Sequence, residues 1–362
     1  MSMKNKILLG MLLFVPLSFL AEYLNLPPVL VFITSGLAII PLAAWIANST
    51  EAIAAVVGPS LGGLLNATFG NATEMIVSIV ALRAGLVEVV KASITGTIIA
   101  NLLLALGAAI LLGGLRFKEQ NFQPAVARIN ASSLNLALVV LLAPTAIDFT
   151  SKGLQLTTIN NFSIVASILL LAFYMLMLLF SMKTHKDLYE IRENLLDEGE
   201  QEEIESRAQG KEFWKGLAIL LVCTFVLVFV SEVLVTSLEE AIKTLGLTNL
   251  FTGVILIPLF GGTVEYITAA TFAMKNKMDL SVAVAMGSSL QIAMFVAPIL
   301  VIIGQLMGQP MNLDFNPFEI LAVAIAVLIT NSISTDGNSN WLEGALLLIT
   351  YGVVGAAFYF HP

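Results

Sequence analysis

Gly70-Asn71-Ala72-Thr73-Glu74 returns, 191 residues later, as Gly261-Gly262-Thr263-Val264-Glu265. The same offset carries Ala92 onto Ala283 and Gly96 onto Gly287 without a gap, so each glutamate is followed by a glycine 22 residues on. Both copies lie in apolar sequence, with no basic residue at comparable depth to neutralise either carboxylate. An ionisable side chain in such a place is costly, and function is the default explanation of its presence. Glycine at the head of each motif allows close helix approach and a local unwinding that frees backbone carbonyls, which are cation ligands.

The rest of the chain identifies the solvent around those glutamates. Of its 362 residues, 58% are hydrophobic and 12% charged, and the mean hydropathy is +0.93. That is more apolar than a water-soluble domain can hide. Charge-free runs recur between Tyr23 and Thr50, Ala92 and Leu115, Ile129 and Ile147, Gly153 and Met182, Leu280 and Leu313, and Gly344 and Pro362. Each is long enough to cross a hydrocarbon core of about 30 Å as a helix. Their Leu, Ile, Ala and Gly content fits helices and not the alternating pattern of a transmembrane barrel. The run from Ile7 to Ala21, behind Lys4 and Lys6, reads as the first membrane helix and not as a cleaved signal. The expectation is an all-α polytopic membrane protein of about 11 transmembrane helices, at 7–24, 29–57, 61–82, 88–115, 129–148, 159–182, 214–243, 248–274, 280–307, 317–333 and 341–360. The lone Cys223 excludes an internal disulfide, and His185 and His361 lie too near the ends of the apolar runs for an imidazole metal site in the membrane.

The repeat then sets the organisation: an N-terminal helix (1–27), a first repeat of helices 2–6 (28–182), an acidic linker (183–212) and a second repeat of helices 7–11 (213–362). The offset lays the third and fourth helices on the eighth and ninth. Five helices separate equivalents, and an odd number reverses direction, so the repeats are expected to be inverted, as in alternating-access transporters. All basic residues except Arg83, Lys91, Lys152 and Lys243 fall on one side, which the positive-inside rule makes cytoplasmic together with the N-terminus and the linker. The linker supplies most of the formal charge of −8, and Leu188, Ile191, Leu195 and Leu196 recur there at helical spacing. It reads as a solvated connection carrying an amphipathic acidic helix. Short loops suggest a prokaryotic inner membrane, though a vacuolar one would read similarly. Lipid is the expected surrounding, nucleic acid is not an expected partner, and the oligomeric state is left open.

Two carboxylates among amide, hydroxyl and carbonyl oxygens suit a hard divalent cation, which takes six to eight oxygen ligands. The expected ligand set is Glu74, Gly70, Asn71 and Asn101 with Glu265, Gly261, Ser288 and Gln291. Thr97 and Ser289 add oxygens beside it, and Glu51, Glu232 and Glu239 are placed to line a proton or cation pathway, with Glu240 nearer the surface. No cofactor is expected beyond the transported ions. A cation channel would need a continuous selectivity filter, which is not visible. An intramembrane hydrolase built on paired acids is disfavoured because the acids lie one per repeat.

The residues at this point resemble the cation/proton exchangers of the calcium/cation antiporter superfamily. The resemblance rests on Gly70-Asn71-Ala72-Thr73-Glu74, on Leu61-Gly62-Gly63-Leu64-Leu65-Asn66-Ala67-Thr68-Phe69 before it, on Asn101-Leu102-Leu103-Leu104, and on Gly287-Ser288-Ser289-Leu290-Gln291-Ile292-Ala293. It covers nearly the whole chain, the linker included. It implies one extra helix before two inverted five-helix halves, calcium bound at Glu74 and Glu265, and calcium export driven by proton import. The second motif departs from the family, which usually has Asn and His where this chain has Gly262 and Tyr266. Sodium-coupled exchange and transport of another divalent cation such as manganese are the neighbouring alternatives. On the exchange reading, calcium and protons compete for the two glutamates, which titrate as a pair.

Overall fold

The computed structural model describes residues 3–57, 59–151, 155–186, 188 and 206–361. Helices account for nearly all of it, because a chain in lipid must satisfy its backbone polar groups internally. In order they are α1 (Met3–Met11), α2 (Phe14–Tyr23), α3 (Pro28–Val57), α4 (Pro59–Phe69), α5 (Ala72–Arg83), α6 (Val87–Ile99), α7 (Leu106–Phe117), α8 (Pro124–Thr150) and α9 (Leu156–Leu179). After the linker come α10 (Ser206–Leu245), α11 (Asn249–Phe251), α12 (Ile257–Gly261), α13 (Thr263–Met274), α14 (Met278–Gln291), α15 (Ala297–Leu306), α16 (Pro317–Ile333) and α17 (Trp341–Phe360). Most of the acidic linker, residues 187 and 189–205, lies outside the described residues, and with it the helix expected there.

Every segment expected to cross the membrane contains helix, but the count differs from expectation. Among the described residues eight helices are long and apolar enough to span, or nine if Asn249–Gly261 and Thr263–Met274, bent by 60°, form one. The shortfall falls on 61–82, which the structure breaks into α4 and α5, and on α16, with 17 residues. Hydropathy averaged over 61–82 does not see the break, because Leu61, Leu64 and Leu65 before it and Ile76, Val77, Ile79 and Val80 after it outweigh the polar residues between.

Side-chain hydroxyls follow the same rule as the backbone. Ser35, Thr50 and Ser231 donate to carbonyls one turn back at 2.7, 2.9 and 2.7 Å, which lets polar residues sit inside apolar helices without a distant partner. The exterior is apolar: Leu136, Val139, Ile168, Leu169, Leu176, Leu221 and Phe225 are all exposed. A soluble surface would not carry so continuous an apolar band.

Packing gathers into two large apolar clusters, beside a small third. In one, Phe32, Ile39, Leu42 and Ile46 of α3 meet Leu227, Val230, Leu234 and Leu238 of α10. In the other, Ile98, Leu102 and Leu106 pack with Met286, Leu290, Met294 and Leu300, and with Val323 and Val327 of α16. Because lipid is as apolar as leucine, close approach and not burial holds such helices together. Gly36 shows the fit: a Cβ there would sit 2.6 Å from the Phe260 ring. At one end of the bundle a two-stranded ribbon, β1 (Glu119–Asn121) and β2 (Asn338–Asn340), pairs antiparallel with Gln120 opposite Ser339. Gln120 ties it down by donating to the Ala273 carbonyl at 2.9 Å. At the other end Thr95 donates to the buried carboxylate of Glu319 at 3.0 Å, joining α6 to α16.

The internal correspondence extends beyond the motif. Subtracting 191 from the bounds of α13 gives those of α5 at both ends, and the start of α14 falls on the start of α6. Each is continued by a π-helical turn, Ala100–Ala105 and Ile292–Val296, whose last residues coincide under the same offset. A π turn widens the helix by one residue and rotates the preceding turns relative to the succeeding ones.

Candidate functional site

Each motif breaks a helix. α4 ends at Phe69 and α5 begins at Ala72; α12 ends at Gly261 and α13 begins at Thr263. Glu74 and Glu265 therefore both lie in the first turn of a new helix, where unpaired N–H groups favour negative charge.

The two breaks face each other. A Cβ on Gly261 would stand 3.4 Å from Oε1 of Glu74, so the bare backbone of the second motif lies against the carboxylate of the first. A Cβ on Gly70 would stand 3.1 Å from Oε1 of Gln291, a side chain of the second half. Across this junction runs a polar chain. Asn101 Nδ2 donates to Ser288 Oγ at 3.0 Å, Ser288 Oγ donates to Asn71 Oδ1 at 2.8 Å, and Asn71 Nδ2 donates to Gln291 Oε1. Expected ligands from both halves are thus joined in one network.

The network leaves particular oxygens unused. Glu74 Oε1, Glu265 Oε2 and Asn101 Oδ1 are buried and have no hydrogen-bond partner. A buried unpaired polar atom costs about 1–3 kcal/mol, and more for a carboxylate. Three of them around one junction is the pattern of a site whose partner is a cation or a proton. No group of three or more His, Cys, Asp or Glu gathers among the described residues, so such a cation would draw its remaining ligands from neutral oxygens.

Two cavities reach the carboxylates. That at Glu74 is small, about 20 Å³, and is lined by Ser78, Ser93, Thr97, Phe260 and Gly261 among others. A single water-sized occupant fits. That at Glu265 is larger, about 260 Å³, and runs past Asn66, Thr268, Gly287, Ser288 and Gln291 to Glu51, which is exposed in the last two turns of α3.

The other expected residues divide. Thr97 and Glu51 line these cavities. Ser289 does not join them: it is fully buried and donates to the Ala285 carbonyl of its own helix at 2.9 Å. Glu232 faces a separate cavity with Glu22 and lies 3.7 Å from Arg83. Glu239 and Glu240 are exposed near the end of α10 and line neither carboxylate's cavity. Asn66, Ser78, Ser93 and Thr268 were missed. Ser78 and Ser93 stand one helical turn from Glu74 and Thr97, and that spacing was the available signal.

The departure at Gly262 and Tyr266 has a local cause. The Tyr266 hydroxyl donates to the Pro258 carbonyl at 2.9 Å, across the break. A Cβ at Gly262 would lie 2.6 Å from the phenol ring carbon that bears that hydroxyl. Gly262 and Tyr266 are one device, the missing side chain making room for the ring that braces the break.

Ser288 holds the middle of the polar chain, so Ser288→Ala deprives both Asn71 and Asn101 of a partner. At about 1–3 kcal/mol, the apparent affinity for the transported cation is expected to fall roughly tenfold in an uptake titration. Ser288→Thr, which keeps the hydroxyl, should retain most of it.

Known proteins resemble this chain along nearly its whole length. The family described as sodium/calcium exchanger protein matches residues 27–183 and 215–360. A protein of Aphanothece halophytica named Ca(2+)/H(+) antiporter is 58% identical over 99% of this chain and 98% of its own length. One of the same name from Synechocystis sp. is 55% identical over 100% of this chain and 99% of its own. The solved structure of native YfkE superposes with a TM-score of 0.83 at 35% identity, covering 98% of this chain and 99% of that one.

Proposed function

The chain belongs to the sodium/calcium exchanger protein family, and from that premise we propose how it works. It is a secondary active calcium/proton antiporter of the membrane, and calcium and protons compete for Glu74 and Glu265. The observation that carries this site is the pair of unpartnered, buried carboxylate oxygens set on either side of one polar chain. A divalent cation is drawn to both carboxylates and to the Asn101 and Gln291 oxygens beside them. Protonation removes the charge that holds it, so the site carries one cargo or the other.

Two inverted five-helix halves supply the alternation. The matched bounds of α5 with α13 and of α6 with α14 support such a repeat. α3 and α10 supply most of one apolar cluster, which Ala72 and Val77 of α5 and Val89 of α6 complete, and the pair is suited to rocking against the rest. The larger cavity leads from Glu265 to Glu51, toward the end of α3 and, on the orientation that the basic residues favour, toward the cytoplasm. Arg83 and the cavity beside Glu232 lie at the opposite end. In this reading the conformation offers the site to cytosolic calcium, and the inner membrane of a prokaryote is its place.

The test is calcium uptake into proteoliposomes under an imposed pH gradient, with and without a sodium gradient. Uptake is expected to follow the pH gradient, to vanish with a protonophore, and to be indifferent to sodium. Uptake that needs sodium instead would overturn the coupling ion.

A further inference from the structure

Between the first half of α8 and the last turns of α9 runs a groove of about 700 Å³ that belongs to neither cation cavity. Its walls are Leu136, Phe173, Leu176 and Phe180, with Ser132 and Ser133 on the α8 side and Arg128 near one end. From Ala125 to Leu136 the groove follows α8 for roughly 16 Å, at 1.5 Å per residue. That is the depth of one leaflet, half of a core of about 30 Å.

Three features specify the occupant. Arg128 is exposed and makes no ion pair or hydrogen bond among the described residues. No carboxylate lines the groove. Ser132 and Ser133 also differ from the helix hydroxyls that bond one turn back, because neither has a partner among the described residues. The cation lies one turn from the outer end and the hydroxyls one turn deeper, while the aromatic and aliphatic walls continue inward. This order matches a glycerophospholipid: phosphate, then glycerol and ester oxygens, then acyl chain. A second copy of this chain would need an acid to meet Arg128 inside an apolar slot, which is the costlier arrangement.

We propose that this groove is a binding site for an anionic phospholipid of the leaflet on the linker side, with the phosphate on Arg128 and one acyl chain between α8 and α9. The leaflet fits, since cytoplasmic surfaces carry anionic lipid and basic residues near them are drawn to it. The site also touches the transport core. Tyr174, the neighbour of Phe173, packs its ring 5.6 Å from that of Phe295, within the π turn that continues α14 beyond Gln291.

The experiment is native mass spectrometry of the full chain, delipidated in detergent and titrated with phosphatidylglycerol or phosphatidylcholine. One phosphatidylglycerol should bind about tenfold more tightly than phosphatidylcholine, because both present a phosphate but the choline ammonium of the second brings a like charge toward Arg128. Arg128→Gln, a surface change that leaves the packing alone, should erase that preference, and Ser132→Phe, which fills the groove, should lower retention of both lipids. Equal binding of the two lipids by the unaltered chain, or a preference that survives Arg128→Gln, would overturn the proposal. So would a dimer that forms irrespective of lipid and is broken by Ser132→Phe, because the groove would then be an interface between copies.

Discussion

Glutamine in place of Glu74 is expected to reduce calcium uptake driven by a pH gradient by a hundredfold or more, and glutamine in place of Glu265 to do the same. The substitution keeps the shape and removes the charge. Either carboxylate alone leaves a divalent cation half-neutralised in a buried site, and losing one partner of a buried charge pair costs about 3–5 kcal/mol, a factor on the order of 10² to 10³. The fold should tolerate the change well. Glu74 Oε1 and Glu265 Oε2 make no hydrogen bond in the protein, the amide oxygen can keep what the other carboxylate oxygen accepts, and an amide in the cavity is less costly than a carboxylate. Unaltered elution in detergent and an unfolding temperature equal to or above that of the parent should therefore accompany the loss of transport. Aspartate at either position shortens the reach by one methylene and should restore only part of the uptake. Transport that persists in both glutamine variants would move the site elsewhere.

Why so much of this site was legible lies in the cost of charge in lipid. A glutamate in an apolar helix stands out against its neighbours, and a repeat at constant offset says that two such residues belong together. Asn71, Asn101, Ser288 and Gln291 were legible for a related reason, as polar side chains within a turn or two of the break or of its partner helix, and the structure links all four. Direction around the helix was not legible. Ser288 and Ser289 are adjacent, about 100° apart, and one enters the network while the other bonds its own helix. The π turns at Ala100–Ala105 and Ile292–Val296 had no signature, because their residues are ordinary helix formers. Each re-aims the preceding helix by a residue, so a straight α-helical projection misplaces the face. Glu232 and Glu239 show the limit of position alone: membership in a helix next to the site does not turn a side chain toward it, and Glu232 lines a separate cavity while Glu239 is exposed.

Equivalent glycines under the repeat should give opposite outcomes. Gly96 sits where α6 crosses the π turn Thr252–Leu256, and a Cβ there would meet the backbone of Val254, with its Cα at 2.5 Å and its carbonyl carbon at 2.7 Å. Gly253 meets the same crossing from the other side, where an added Cβ would stand 3.0 Å from the Val89 carbonyl oxygen. Backbone on both sides cannot swing away as a flexible side chain would, so Gly96→Ala must separate two helices. Overpacking of this kind costs about 1–3 kcal/mol or more, and α6 carries Thr97 and leads into Asn101, so these proposed ligands move with it. The expected result is a lower unfolding temperature in detergent together with loss of transport. Gly287, its counterpart by offset, has nothing within 4 Å of a Cβ and lines the cavity at Glu265. Alanine there should fold at least as stably, since glycine inside a helix costs about 0.5–1 kcal/mol relative to alanine. Its methyl group projects into that cavity, the proposed cation path, and should weaken calcium uptake several-fold with the fold intact. Thermal unfolding and uptake measured on both variants separate the two roles; a Gly96→Ala protein as stable as the parent would mean that the crossing is looser than its backbone contacts indicate.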